Sequence, residues 1–174
     1  MQVTGFQTKR LTVQNWSSDL DDPAKRAALV FALMPILTPA VLRHLPEPLQ
    51  LPDAPHAVSD WIADRAEESD VMTIRAMSDN AILGLMILAV FPAPDAPSTV
   101  HLGYLLGERA WGKGYATELL EGLISWVQDQ ATPVMLLGGV ERDNPASAKV
   151  LLKNGFSILP ELATETSDMY RRVI

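Results

Sequence analysis

A short apolar strand, a glycine-rich turn and a strongly amphipathic helix follow one another between residues 100 and 130 of this 174-residue chain. Val100–Leu106 has the apolar character of a buried strand, and glycines recur in the next eight positions. From Tyr115 to Gln130, apolar side chains recur every three or four residues, which predicts a helix with one buried face. The stripe consists of Tyr115, Leu119, Leu120, Leu123, Ile124 and Val127. A helix of this kind must bury its stripe against another element, so the sequence predicts an α/β arrangement.

The composition is that of a folded protein. Apolar residues make up 48% of the chain and charged residues 20%, which excludes disorder as the main state and predicts one domain over residues 1–174. The absence of cysteine excludes disulfides and thiolate catalysis. The three histidines are far apart in sequence, so no metal is expected.

Charge and hydropathy also limit the partners. The net charge is −7 and neither half of the chain is basic, so no nucleic-acid partner is expected. The uncharged stretches Ala27–Leu42 and Ala81–Phe91 are shorter than the roughly 20 residues of a membrane-spanning helix, so no membrane is expected either. Met1–Arg10 has no apolar signal core, which favours the cytoplasm. The run Ala27–Leu42 fits core, substrate cleft or a homodimer surface, and these alternatives stay open.

Turn and cap residues predict the remaining elements. Asp22-Pro23 is a helix cap followed by a preferred first-turn proline, and Thr38-Pro39 repeats the pattern. The predicted helices and strands are a helix to about Leu33, a helix from Thr38-Pro39, a helix over Ala54–Glu68, a hairpin of Val71–Met77 and Ile82–Phe91, a strand over Pro133–Val140, a helix over Pro145–Asn154 and a strand over Met169–Ile174. Antiparallel strands first, then alternating strands and helices, predict a mixed sheet.

The segment from Gly107 to Tyr115 predicts an anion site, because glycines let the backbone approach a ligand and the next helix begins with unpaired N–H groups. The segment satisfies G-x-x-x-x-G-K, but Gly114 stands where that motif needs the Ser or Thr that binds magnesium. The dinucleotide pattern G-x-G-x-x-G fails at Thr117. A plain strand-to-helix turn remains an alternative.

A third pattern fits. Arg109-x-x-Gly112-x-Gly114 matches the R/Q-x-x-G-x-G/A signature of the GNAT acetyltransferase superfamily, and Asn144-x-x-Ser147 follows about 30 residues later. With Thr8–Val13 near the start, the chain resembles the RimJ/RimL-like branch, which includes ribosomal-protein N-terminal acetyltransferases. The resemblance is weakest over residues 17–69 and implies an α/β (α+β) fold. The expected sheet is mixed and mostly antiparallel, with splayed parallel strands in the middle and helices on its flanks.

The resemblance also implies acetyl-CoA as cosubstrate and no metal. In such a protein the loop from Arg109 would cradle the pyrophosphate, and the pantetheine arm would lie beside the strand ending at Leu106. The residues that would contact the cofactor are Tyr104, Leu105, Leu106, Arg109, Trp111, Gly112, Lys113, Gly114, Tyr115, Ala116, Asn144 and Ser147. For Asn144 a helix cap is the alternative role, and both roles are compatible.

The implied reaction is direct attack of a primary amine on acetyl-CoA in a ternary complex. Glu141 is the leading candidate for the base, and Ser147 and Tyr170 are candidates for the acid. Leu151 stands where many family members carry a tyrosine acid. His101, Glu165 and Asp168 are weaker candidates for the base.

The acceptor would be a protein N-terminus or a small amine, bound against about residues 20–51 and the loop Pro92–Pro97. An acidic surface favours a cationic acceptor. Two other interpretations stay open at this point: a noncatalytic acyl-CoA-binding module, supported by Leu151, and a magnesium-dependent nucleotide hydrolase built on Gly107–Lys113.

Overall fold

The computed structural model describes residues 4–94, 96–130 and 132–174, so Met1–Val3 and, in the predicted loop Pro92–Pro97, Asp95 lie outside the described residues. Its eight strands are β1 Gly5–Gln7, β2 Leu11–Asn15, β3 Asp70–Ala76, β4 Ile82–Phe91, β5 Ser98–Leu106, β6 Val134–Glu141, β7 Ser157–Ile158 and β8 Ser167–Val173. Its helices are α1 Ser17–Leu20, α2 Pro23–Leu33, α3 Pro39–Leu42, α4 Ala57–Glu68, α5 Tyr115–Asp129 and α6 Pro145–Lys153. Short 3₁₀ turns cover Glu47–Leu49, Glu108–Ala110 and Pro160–Leu162.

The strands form one sheet in the order β1-β2-β3-β4-β5-β6-β8-β7. Its neighbours are mostly antiparallel, and the parallel pair β5 and β6 lies in the middle. The predicted fold class is therefore confirmed. Among the described residues, no helix is long and apolar enough to cross a membrane.

The chain divides into two compact units. The N-terminal unit comprises residues 4–87 and 104–113 of the described chain, and the C-terminal unit comprises residues 88–103 and 114–174. Strands β4 and β5 each contribute residues to both units.

Capping side chains start two helices of the N-terminal unit, as predicted. The Asp22 carboxylate accepts from the backbone N–H groups of Ala24 and Lys25 at 2.8 and 3.3 Å, and the Thr38 hydroxyl accepts from Val41 at 3.4 Å. Each cap satisfies donors that the first turn leaves unpaired. Helix α4 begins at Ala57 and not at the predicted Ala54, because His56 takes a left-handed conformation with φ 65° and interrupts the helix there.

The core of the N-terminal unit joins its helices to strands β3, β4 and β5. Its members are Trp16, Leu29, Leu33, Ile36, Leu37, Val41, Leu42, Trp61, Ile62, Val71, Leu85 and Leu105. The indole Nε1 of Trp61 donates to the carbonyl of Leu49 at 3.0 Å. This hydrogen bond holds the segment Pro35–Pro55, which contains six of the 13 prolines, on the body of the unit.

The predicted hairpin is confirmed as β3 and β4. Asn80 occupies the turn with φ 60°, and the Ala76 N–H donates to the Ala81 carbonyl at 2.9 Å. Strand β2 pairs antiparallel with β3, and β1 pairs antiparallel with β2. The sequence did not predict β1 or α1, which are three and four residues long.

In the C-terminal unit, helix α5 buries Leu119, Leu120, Leu123, Ile124 and Val127, as the stripe predicted, while Tyr115 is half-buried. Strand β6 pairs in parallel with β5 only over Ser98–His101 and Val134–Leu137 in the described structure. It continues through Gly138–Glu141, which pair antiparallel with β8 on the other side. Pairing with β5 thus ends before β6 does, as expected of strands that diverge.

Helix α6 follows β6, begins at Pro145 and ends before Gly155, whose φ is 73°. Glycine is favoured there because left-handed backbone costs other residues energy. Strand β7 covers only Ser157–Ile158, pairs with β8 and was not predicted.

Candidate functional site

The glycine-rich segment begins in the N-terminal unit, where β5 ends. The N–H of Gly107 donates to the Leu83 carbonyl at 2.8 Å, which extends the contact between β5 and β4 to the first residue of the loop. A 3₁₀ turn over Glu108–Ala110 follows, closed by the Ala110 N–H on the Gly107 carbonyl at 2.8 Å. The loop therefore has regular internal structure and a defined starting point.

Three side-chain hydrogen bonds hold this loop in place within the N-terminal unit. Trp111 Nε1 donates to the Leu106 carbonyl at 2.6 Å, and the Thr38 hydroxyl donates to Glu108 Oε1 at 2.7 Å. Arg10 Nη1 donates to the Lys113 carbonyl at 3.0 Å. Sequence reasoning missed Arg10, Thr38 and Glu108 as loop supports, because their partners lie 70 and 103 positions away.

The side chains of the loop differ in exposure. Leu105 and Leu106 are buried, and Tyr104 is half-buried. Arg109, Trp111 and Lys113 are exposed, and the Trp111 side chain keeps about half of its surface in solvent. Buried leucines therefore fix the end of the strand, while the loop after it presents its polar groups to solvent.

Gly112 has φ 69°, and a Cβ added there would meet no atom within 4 Å in the described structure. Glycine is favoured at this position because the left-handed backbone conformation costs other residues energy. No neighbouring atom crowds the position, so the approach to the loop is open. Any non-glycine side chain at residue 112 would point into that open space.

In the C-terminal unit, α5 begins directly after Gly114, which has φ 79° and makes no side-chain cap. At 15 residues α5 is the longest described helix, so its first turn carries the full positive end of a helix dipole. Tyr115 and Ala116 occupy that first turn and are half-buried. An anion in place of a capping side chain would satisfy such a turn.

The start of α6 lies in the same unit. Asn144 Oδ1 accepts from the Ser147 N–H at 3.1 Å, so the cap that the sequence allowed is present and brings these two predicted residues together. This is the one hydrogen bond that the structure gives to the Asn144 side chain among the described residues, which leaves its NH₂ group for another partner.

The other predicted catalytic residues lie along β6 and β8. Glu141 is the last residue of β6, opposite Ser167, and is half-buried. Tyr170 pairs with Gly138 and is only 5% exposed. Leu151 is buried, and its methyl groups lie 3.4 to 3.6 Å from the position of a Cβ on Gly138. The hydrocarbon side chain of Leu151 thus packs directly over Gly138 of β6.

Arg142, next to Glu141, secures the segment before β8. Its guanidinium donates to the Asp168 carboxylate at 3.1 Å and to the carbonyls of Glu165 and Thr164 at 3.2 and 3.0 Å. Its backbone N–H also donates to the Thr166 carbonyl at 2.9 Å. Asp168, a candidate base from sequence, is therefore engaged by a cation.

We expect Arg142→Gln to loosen the segment 164–168, because glutamine cannot reproduce the fork of the guanidinium. Hydrogen exchange of the backbone amides in this segment should quicken about tenfold or more, while the free energy of unfolding should fall by only about 1 kcal/mol. Arg171→Gln, which removes an exposed arginine from strand β8, is the matched control. Equal amide exchange of residues 164–168 in the two variants would show that the hydrogen bonds of Arg142 do not hold this segment.

The family comparison identifies the fold. The family model described as "Acetyltransferase (GNAT) domain" matches residues 10–157. A search of curated proteins found no match. The chain belongs to the GNAT acetyltransferase family.

Solved structures agree with this family. An acetyltransferase of the GNAT family from Bacillus anthracis aligns with a TM-score of 0.70 and 13% identity, covering 98% of this chain and 97% of that one. An acetyl transferase from Salmonella typhimurium that modifies the N-terminal serine of ribosomal protein L7/L12 aligns with a TM-score of 0.66 and 16% identity, covering 96% of each chain. A RimL ribosomal L7/L12 alpha-N-protein acetyltransferase in complex with coenzyme A gives 0.68 and 16%, again over 96% of each chain. The predicted membership of the GNAT superfamily is confirmed by the family model, and these structures share its fold.

Proposed function

We propose that the chain is an acetyl-CoA-dependent N-acetyltransferase that moves the acetyl group directly to a primary amine. The observation that carries this proposal is the pair of left-handed glycines, Gly112 and Gly114, immediately before a long helix that no described side chain caps. The bend at Gly112–Gly114 leads directly into this helix, whose first-turn N–H groups and positive dipole end would bind the diphosphate of coenzyme A. That the related RimL structure holds coenzyme A supports the choice of cofactor.

The remaining cofactor residues follow from this placement. In the N-terminal unit, Tyr104–Leu106 would lie beside the pantetheine arm, and Arg109, Trp111 and Lys113 would meet the phosphates or solvent around them. In the C-terminal unit, coenzyme A would contact the starts of two helices, at Tyr115 and Ala116 of α5 and at Asn144 and Ser147 of α6. No metal is needed in this scheme, because the helix dipole and backbone N–H groups would carry the anion.

The chemical step needs no covalent enzyme intermediate. The neutral amine nitrogen attacks the thioester carbonyl carbon, the carbon–sulfur bond breaks, and the departing thiolate takes up a proton. Glu141 is the proposed acceptor of the amine proton, and Ser147 or Tyr170 the proposed donor to the thiolate. Charge that develops on the carbonyl oxygen would be stabilised by backbone N–H groups of β5 or β6 beyond the last parallel pair.

The amine would be a protein N-terminus or a small primary amine. The related Salmonella protein modifies an N-terminal serine of a ribosomal protein, which supports the peptide alternative. The net charge of −7 favours a cationic acceptor by long-range attraction. A cytoplasmic location and a homodimer stay predictions.

The second candidate function is a noncatalytic acyl-CoA-binding module. Buried Leu151 favours it, because hydrocarbon at this position cannot protonate the thiolate. Isothermal titration with acetyl-CoA, followed by a thiol-release assay over a panel of peptide N-termini and small amines, separates the two functions. The enzyme predicts binding and acceptor-dependent release of coenzyme A, whereas the module predicts binding alone. Magnesium-dependent ATP binding without a response to acetyl-CoA would contradict both.

Asn144 allows its two roles to be measured separately. Asn144→Ala should lower the free energy of unfolding by about 1 kcal/mol through loss of the cap. Asn144→Asp keeps the oxygen that caps Ser147 but loses the NH₂ group, so it should retain stability and bind acetyl-CoA several-fold more weakly. Calorimetry and thermal unfolding measure the two effects. An unchanged acetyl-CoA affinity in Asn144→Asp would show that Asn144 acts only as a helix cap and does not contact the cofactor.

A further inference from the structure

Helix α2 of the N-terminal unit and the two residues after it present an outer face that carries no charge. The residues of this α2 face recur every three or four positions and are all exposed and apolar: Ala24, Ala27, Ala28, Phe31, Met34 and Pro35. Phe31 keeps 79% of its surface in solvent and Met34 keeps 59%. The opposite face buries Leu29 and Leu33 in the core, so α2 is apolar on both sides. A helix with this pattern is normally covered on both sides.

The side chains of the α2 face change in size along the helix. Its N-terminal half carries only alanines, whereas its C-terminal half carries Phe31 and Met34. Two such faces fit each other when the helices run antiparallel, because each bulky half then lies over the small half of the other. Parallel helices would instead place Phe31 on Phe31 and leave the alanines without a filling side chain. The size pattern therefore matches a second copy of this chain, related by a two-fold axis.

The charges beside the α2 face show the same antiparallel match. A groove of about 460 Å³ borders the C-terminal half of the face, lined by Val30 and Met34 and by Asp53 from the segment before α4. Arg26 lies one helical turn before Val30, so it is on the same flank of α2 but in the N-terminal half. A two-fold axis across the helices brings Arg26 of one copy to the groove and Asp53 of the other. Neither residue forms an ion pair among the described residues.

We propose that the chain forms a homodimer in which α2 packs antiparallel on α2 of a second copy. One surface supplies both the bulky and the small half of this contact, and both its cation and its anion, which favours a copy of the chain over an unrelated partner. Two chains of net charge −7 repel each other, so contact through a face without acidic residues is also favoured. An 11-residue helix is only about 16 Å long, so the interface is small and we expect a micromolar dissociation constant.

Sedimentation velocity of the wild-type protein between about 2 and about 200 µM tests for the dimer. We expect a reversible shift from monomer to dimer over this range. A wild-type protein that stays monomeric at about 200 µM would overturn the proposal and leave the α2 face to a different partner. None of these measurements uses acetyl-CoA, so their outcome is independent of the proposed acetyl transfer.

Phe31→Glu should weaken dimerisation at least about tenfold, because it places a carboxylate against the apolar face of the other copy. Leu152→Glu is the matched control, since it makes the same change from an apolar to an acidic side chain at a 51% exposed position of helix α6. It should leave the dissociation constant unchanged. Circular dichroism checks that both variants are folded. Equal dissociation constants for the two variants would show that the dimer does not form through α2.

Two further changes separate the antiparallel fit from nonspecific hydrophobic association. Ala28→Phe enlarges the apolar face, so nonspecific association would strengthen. The proposed fit predicts dimerisation at least about tenfold weaker, because the new side chain meets Phe31 of the other copy. Arg26→Glu should weaken the dimer several-fold, and combining it with Asp53→Arg should restore the wild-type constant. Stronger association of Ala28→Phe, or no restoration in the double variant, would overturn the antiparallel contact.

Discussion

Replacing Gly112 with aspartate is expected to weaken acetyl-CoA binding at least about a hundredfold, with the fold retained. The new carboxylate would lie in open space beside the bend, because a Cβ at this position meets no atom within 4 Å of the described structure. Two like charges about 4 Å apart near a protein surface repel by about 4 kcal/mol, which exceeds the roughly 2.7 kcal/mol of a hundredfold change. Isothermal titration with acetyl-CoA measures the loss, and circular dichroism checks the fold.

Gly112→Asn is the matched control for this prediction. Asparagine has nearly the same shape as aspartate, and both tolerate the left-handed backbone at φ 69°. Only the charge differs, so Asn should bind acetyl-CoA much more tightly than Asp. Equal affinity in the two variants would show that no phosphate lies beside Gly112.

Replacing Gly84 with alanine is expected to cause the largest loss of stability of any single substitution considered for this chain. A Cβ at residue 84 would lie 2.0 Å from the Leu105 carbonyl oxygen and 2.9 Å from the Leu106 Cα, both in the N-terminal unit. These are backbone atoms, so β5 must shift where the pantetheine arm is proposed to bind. We expect a loss of about 3 kcal/mol or more and a fall in melting temperature of about 6–12 °C.

Gly103→Ala is the control for Gly84→Ala. Gly103 also lies in β5, but a Cβ there meets no described atom within 4 Å. Thermal unfolding of both variants should therefore separate close packing from a general effect of alanine in a strand. A Gly84→Ala protein with the melting temperature of Gly103→Ala would contradict the close approach of β4 and β5.

Local signals in the sequence were sufficient for the elements whose ends are set by nearby residues. Helix α2 starts where Asp22 caps it, α5 buries the predicted stripe, and Gly155 lies just beyond α6. Each of these features depends on side chains within a few positions, so periodicity and capping rules find it. The α4 start was misplaced by three residues, because the left-handed conformation of His56 has no strong local signal.

The remaining features depend on distant partners. Strands β1 and β7 have three and two residues, too few for a periodic pattern, and exist because β2 and β8 pair with them. The same reason hides the support of the glycine-rich loop, where Arg10 reaches Lys113 and Thr38 reaches Glu108. The glycine positions marked the loop itself, whereas the bonds that fix it required the three-dimensional structure.

Hydrogen exchange of the wild-type protein, measured by mass spectrometry with and without coenzyme A, tests the role of the bend most directly. We predict strong protection of the backbone amides at residues 112–117, because phosphate oxygens would accept from the N–H groups of the bend and the first turn of α5. Protection should be absent when Gly112→Asp is mixed with the same concentration of coenzyme A. Saturating coenzyme A that leaves exchange at 112–117 unchanged in the wild type would contradict the proposed site.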